Sequence, residues 1–266
     1  MKTETLDIQE RGPVTWCTLN RPESLNALSR KLVDELHDFL DHLARTPRTR
    51  VVVLRGAGRA FCAGLDLKEP VTGTGEGRNV AASLRGQRRI AELSIKMRRV
   101  QQIFVACVQG PACGGGFMLA LASDIRIAGE SARMNAAFIK LGLSGCDVGV
   151  SYLLPRLVGA SVASELILTG RFVDAERARE LGLVSAVVPD DALEKEAQGL
   201  VDDLLRTSPL GLRLSKECLN TSLDAGSIDA VVAMEDRNQI LCAQTKDFGE
   251  GVRAFIEKRD PVFGDA

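Results

Sequence analysis

The sequence predicts an α/β fold that gives way to a helical C-terminal portion, and three observations carry that prediction. Short β-type runs alternate with amphipathic helical patterns through the first two thirds of the 266 residues. Two of the apolar runs lead straight into glycine-rich turns, Gly56 to Asp66 and Gly110 to Met118. From about Val148 onward the pattern is mostly helical.

In chain order, Val14 to Leu19 reads as a strand. Ser29 stands at a helix N-cap position ahead of Leu32, Leu36, Phe39, Leu40 and Leu43, which recur at helical spacing. Arg50 to Arg55 is a buried strand, a long helix fills much of Asn79 to Gln102, and IFVACVQ is the next strand. A helix from about Gly115 to Ala122 follows the second glycine-rich turn, and DIRIA, beginning at Asp124, is another short strand. Further on, Leu183 to Pro189 is one more strand signal. Asp191 to Arg206, Pro209 to Leu223, Ile228 to Ala243 and Lys246 to Arg259 read as helices separated by Ser, Pro and Gly breakers. No low-complexity linker or exact repeat interrupts the chain.

At 28.6 kDa, with 45% hydrophobic and 26% charged residues, the chain is long enough to bury a sizeable core. The net charge of -1 offers no overall attraction to nucleic acid or anionic membrane, and 4% aromatics give little stacking surface for single strands. The seven cysteines are scattered and never spaced C-x-x-C, so they read as reduced core thiols of a cytoplasmic protein. The charged N-terminus lacks the apolar stretch of a signal peptide, and the uncharged run Val100 to Ser123 is too broken by Gln, Pro and Gly to be a membrane span. His37 and His42, the 2 histidines, lie among acids on the first helix and read as solvated; five residues apart, they form no metal-binding pair. No metal is implied, and carboxylates are the plentiful acid/base groups.

Both glycine-rich turns follow a buried strand, and the second opens a helix, where exposed N–H groups and the helix dipole favour an anion or oxyanion. Neither has the third glycine of a dinucleotide fingerprint or the Gly-Lys-Ser/Thr of a P-loop, which disfavours a nucleotide-dependent enzyme. Taken singly, either turn has a purely structural alternative, in which its glycines only permit tight packing.

Together with NRPESLNAL (Asn20 to Leu28), AFCAGLDL (Ala60 to Leu67), SDIRIA, LTGRFVDAERARELGLVSAVV (Leu168 to Val188) and FIEKRDPVF (Phe255 to Phe263), these turns resemble the enoyl-CoA hydratase/isomerase, or crotonase, family in the family's order along almost the whole chain. The resemblance implies a ββα spiral, here an acyl-CoA-binding core over residues 1–205, followed by a helical oligomerisation region over 206–266 that packs trimers or hexamers. It implies an acyl-CoA thioester as substrate, coenzyme A being part of that substrate rather than a separate cofactor. The family holds the thioester oxygen with two backbone N–H groups, which carry over onto Leu65 and Gly115. Such donors stabilise an enolate, each worth about 3 kcal/mol by analogy with other oxyanion holes. Ala27, Ala63, Asp66 and Leu67 match segments that line coenzyme A, and Phe255 and Lys258 match the tail that closes over its nucleotide, although Lys258 reads equally as a solvated helix end. A basic run on the long helix, Arg85, Arg88, Arg89, Lys96, Arg98 and Arg99, reads as a solvated or inter-subunit face rather than a phosphate site.

The departure lies in the acids. The two glutamates of the hydratases correspond to Met118 and Phe138, so the usual two-carboxylate hydration is not expected. Met118, Phe138 and Met134 instead suggest an apolar tunnel for an acyl chain, with Asn135 and Ser144 as weaker polar candidates. Asp147, in GLSGCDVGV, resembles the ADVG element of the dienoyl-CoA isomerases, although the preceding loop is one residue longer. The resemblance implies that it moves a proton; the alternative is that it caps the helix beginning near Val148. At the level of function, the alternative to an enolate-forming enzyme is a non-catalytic acyl-CoA or fatty-acyl binding protein.

Overall fold

A computed structural model describes residues 2–68 and 79–264. A six-stranded sheet has the order β1-β2-β3-β4-β6-β9, formed by Leu6–Arg11, Val14–Leu19, Val51–Gly56, Ile103–Val108, Ile125–Gly129 and Ala186–Val188. Within this sheet β1 and β2 pair antiparallel, and β2, β3, β4, β6 and β9 run parallel, in register Val14↔Val51, Val51↔Ile103 and Val105↔Ile125. A smaller sheet joins β5 (Pro111–Cys113), β7 (Arg133–Asn135) and β8 (Val173–Asp174).

Side chains on successive strand positions point to opposite faces, so the parallel strands, buried on both, are apolar throughout. On one face Val52, Leu54, Phe104, Ala106 and Val108 pack with α1 (Arg30–Ala44), α2 (Val80–Arg99) and α3 (Gly115–Ala122). On the other, Val14, Trp16, Val53, Val105 and Ile127 meet Leu193, Ala197 and Val201 of α7 (Leu193–Leu205). Trp16 is 1% exposed there, with the guanidinium groups of Arg11 and Arg55 at 4.9 and 5.3 Å from its ring centroid.

Ahead of α7 in the chain come α4 (Val150–Val158), α5 (Ala160–Thr169) and α6 (Ala175–Glu180). The chain ends in α8 (Pro209–Ser222), α9 (Ile228–Ala243) and α10 (Lys246–Glu257). Ser208, Ser227 and Thr245 cap these three helices by accepting from Gly211, Ala230 and Phe248 N–H groups. Lys216, 4% exposed, ties α8 to the body: its Nζ lies 2.9 Å from the Asp124 carboxylate and donates to Gln102 O at 2.6 Å and Met97 O at 3.1 Å. Among the described residues no helix is long and apolar enough to cross a membrane.

Two expectations about side chains are corrected. His37 is not solvated; it is 2% exposed because α2 packs over α1, and its Nε2 lies 2.7 Å from Arg89 O. Cys17, Cys62, Cys107 and Cys113 are buried thiols, but Cys146 is exposed and Cys218 and Cys242 are half-buried, so they are not core residues. The basic face of α2 is solvated and largely paired, with Arg88–Glu92 at 3.2 Å, Arg89–Asp34 at 2.7 Å and Lys96–Asp41 at 2.6 Å.

Candidate active site

The first glycine-rich turn leaves β3 and returns beside the segment that precedes α1. Leu28 and Leu65 form a parallel bridge in which Leu28 N–H donates to Gly64 O at 2.7 Å and Asp66 N–H donates to Leu28 O at 3.1 Å. In a parallel bridge the flanking residues take the bonds, so the N–H and C=O of Leu65 itself turn to the opposite edge. Asn26, fully buried, holds the turn by donating to Ala57 O at 2.9 Å and Ala60 O at 2.8 Å, while its Oδ1 accepts from Arg21 N–H at 2.9 Å.

The second turn is stitched to the first. Cys62 N–H donates to Pro111 O at 3.1 Å, and Cys113 N–H donates to Cys62 O at 3.0 Å. Two glycines permit the approach. A Cβ on Gly64, whose φ is +96°, would lie 2.7 Å from Cys113 O and 3.6 Å from Gly115 N; a Cβ on Gly116 would lie 2.1 Å from Cys62 O. α3 begins at Gly115, and N–H groups in a helix's first turn have no intrahelical acceptor. Leu65 and Gly115 are thereby neighbours on a backbone surface rich in N–H donors.

These turns floor a cavity of about 450 Å³ whose lining includes Ala63, Leu65, Leu67, Gly115, Phe138 and Asp147. Leu28, Gln87, Ile90, Leu141 and Leu143 also line it, and of these Gln87, Ile90 and Leu141 lie outside the quoted sequence motifs. Among the described residues that line it, Asp147 is the only one with an ionisable side chain. Its Oδ1 accepts from Gln87 Nε2 at 2.5 Å and from Val148 N–H at 2.7 Å. Burial pushes the Asp147 carboxyl above its ordinary value, and those two bonds hold it partly back. The next helix starts at Val150 with Gly149 as its N-cap and no side-chain capping bond, so Asp147 does not serve as that helix's cap.

Other expected site residues stand elsewhere. Asp66 is buried in an ion pair with Arg21 at 2.9 Å, and Ala27 offers its carbonyl to the same guanidinium at 2.6 Å. Met118 is sealed within α3 and does not line the cavity, because the helix turns that position into the core. Met134 is equally buried, Asn135 Nδ2 donates to Gly170 O at 3.0 Å, and Ser144 Oγ accepts from Cys146 N–H at 3.2 Å. Phe255 is 86% exposed on α10 and borders a second hollow of about 390 Å³ with Phe248, Val252 and Phe263, while Lys258 ends that helix in a left-handed conformation. Burial pushes the Cys62 thiol up to about 12 and Cys113 to about 11, which removes both as nucleophiles near neutral pH. Among the described residues no group of three or more His, Cys, Asp or Glu could hold a metal ion.

A parallel sheet whose two glycine-rich turns abut beneath an apolar cavity, followed by a helical C-terminal region, is an α/β architecture that sequence and structure comparisons can place. The enoyl-CoA hydratase/isomerase family model matches residues 9–266, and the chain belongs to that family. It is 40% identical over 258 residues to the probable enoyl-CoA hydratase EchA12 of Mycobacterium tuberculosis strain H37Rv, covering 96% of this chain and 90% of that one. It is 38% identical over 255 residues to the 1,2-epoxyphenylacetyl-CoA isomerase of Escherichia coli K12, covering 96% and 95%. The crystal structure of an enoyl-CoA hydratase from Bacillus anthracis superposes with a TM-score of 0.92 at 34% identity, covering 99% of this chain and all of that one.

Proposed function

We propose that the protein processes an acyl-CoA thioester through an enolate held by the backbone N–H groups of Leu65 and Gly115, with Asp147 as the group that moves the proton. The carboxylate takes a proton from the acyl chain, charge collects on the thioester oxygen against the two donors, and return of the proton at another carbon shifts the double bond without net consumption. The observation that carries this reading is the convergence of both turns and a single carboxylate on one apolar cavity. Positions 118 and 138 offer a thioether and a phenyl ring, so activation of water by paired glutamates is not part of the reading. Similar proteins bear the names of a hydratase and of an isomerase, consistent with shared enolate chemistry and divergent outcomes. Ala63, Leu67 and Phe138 contact the acyl-pantetheine portion, and Phe255 and Lys258 serve at the nucleotide end, with the chain assembled as a trimer or a pair of trimers.

The test is a panel of saturated, 2-enoyl, 3-enoyl and dienoyl thioesters, with binding and turnover measured separately. Asp147→Asn is expected to lower turnover about 10²- to 10⁴-fold while binding persists. Binding with no turnover of any member would overturn the enzymatic reading.

A further inference from the structure

We infer that Gln87 is a positioning residue for Asp147: its amide fixes one carboxylate oxygen so that the other is presented to the acyl chain. This rests on the reading of Asp147 as the proton carrier.

Gln87 lies on the inner stripe of α2, in line with the buried Ile90, Leu93 and Met97 at helical spacing. An amide on such a stripe needs partners, and the one the structure gives Gln87 is Asp147 Oδ1, 60 residues along the chain. The same oxygen accepts the Val148 N–H, so both bonds fall on Oδ1, and Oδ2 has no protein partner among the described residues. Val148 adopts a φ of +44°, costly for a β-branched residue, in the same turn whose N–H bonds the carboxylate. α2 also passes close to the turn at Gly149, where an added Cβ would lie 3.3 Å from Ser94 Oγ. One oxygen clamped from two elements and one free is the arrangement a directional proton carrier needs.

Among the described residues, no other ionisable group faces Asp147 from the cavity lining of α2, the two glycine-rich turns or the segment 137–143. Nearby on α2, Arg88 pairs with Glu92 and Arg89 with Asp34. The Gln87 bond therefore bears directly on the carboxyl's titration: an N–H donated to the ionised form favours it. A residue that merely tied α2 to the turn would leave the pH profile of turnover in place.

The experiment measures conversion of a 3-enoyl to a 2-enoyl thioester by the wild type, Gln87→Leu, Asp147→Asn and the double variant, with folding checked by circular dichroism. Gln87→Leu is expected to lower kcat about tenfold at a KM within about twofold, and to move the acidic limb of the profile up by about one pH unit. In the Asp147→Asn background it should cost nothing further. An equal loss in both backgrounds would make Gln87 structural and overturn the inference. Loss in Asp147→Asn with an unchanged rate and limb in Gln87→Leu would overturn the inference alone. Unchanged turnover in Asp147→Asn would overturn it together with the reading beneath it. Should Gln87→Leu fail to fold, Gln87→Met, which keeps the length and removes the donor, is held to the same outcomes.

Discussion

At the scale of single residues, burial of the Asp147 carboxyl carries a cost in stability. Because burial raises its carboxyl in the folded protein, this group favours folding below the unfolded value of 3.8 and loses that contribution as pH rises through the raised one. Asp147→Asn should therefore melt at a higher temperature than wild type at pH 8, with the difference vanishing below about pH 3.8, even as turnover falls; calorimetry across pH checks it. Gly64 carries the opposite risk. Gly64→Ala imposes a side chain at φ +96° and sets its Cβ 2.7 Å from Cys113 O, prying apart the two turns. We expect a loss of about 2 kcal/mol in denaturant unfolding and a fall in turnover exceeding any loss of thioester binding.

At the scale of elements, legibility followed periodicity and capping. Val14–Leu19, Gly115–Ala122 and Ile228–Ala243 could be read to the residue because apolar runs or Ser and Gly breakers bound them. The strands β5, β7 and β8, of two or three residues, carry too little pattern; they exist because distant segments such as Ala112 and Met134 pair. The two glycine-rich turns were legible as turns after strands, but the choice of Leu65 and Gly115 within them came from the family resemblance and not from any pattern of their own. Gln87 was not legible, since a lone amide on a helix acquires meaning only from a partner on another element. His37 misled for the same reason: its neighbours in sequence are acids, but its neighbour in space is α2. The anchoring of α8 is testable at this scale. Lys216→Met leaves Asp124 short of its buried cation and should destabilise by about 3 kcal/mol or more, with hydrogen exchange accelerated first in α8 to α10. The tail after α10 has its own anchor, Glu250, whose carboxylate meets Arg259 at 2.6 Å and accepts Val262 N–H at 3.0 Å. Bonds from Arg259, Val262 and Arg253 hold it down to about 2 from 4.5, so its contribution is present above pH 4.5 and lost as pH falls toward 2.

At the scale of the molecule, the parallel sheet separates two apolar layers, and the three final helices leave a broad apolar surface. Leu219, Ile228, Ile240, Phe255 and Ile256 are all exposed, more than a chain of this kind leaves bare without a partner. We expect sedimentation to report a trimer or a multiple of it, and Phe255→Asp with Ile256→Asp to reduce that mass while the helical content of each chain persists.

The packing of Trp16 has an optical consequence. It is the chain's one tryptophan, and it sits on the α7 side of the sheet, with the cavity lined by Leu65 and Gly115 on the other. Its emission is therefore an intrinsic fluorescent gauge of sheet integrity, shielded from direct contact with whatever occupies the cavity, so a titration that changes it registers a response transmitted through the strands.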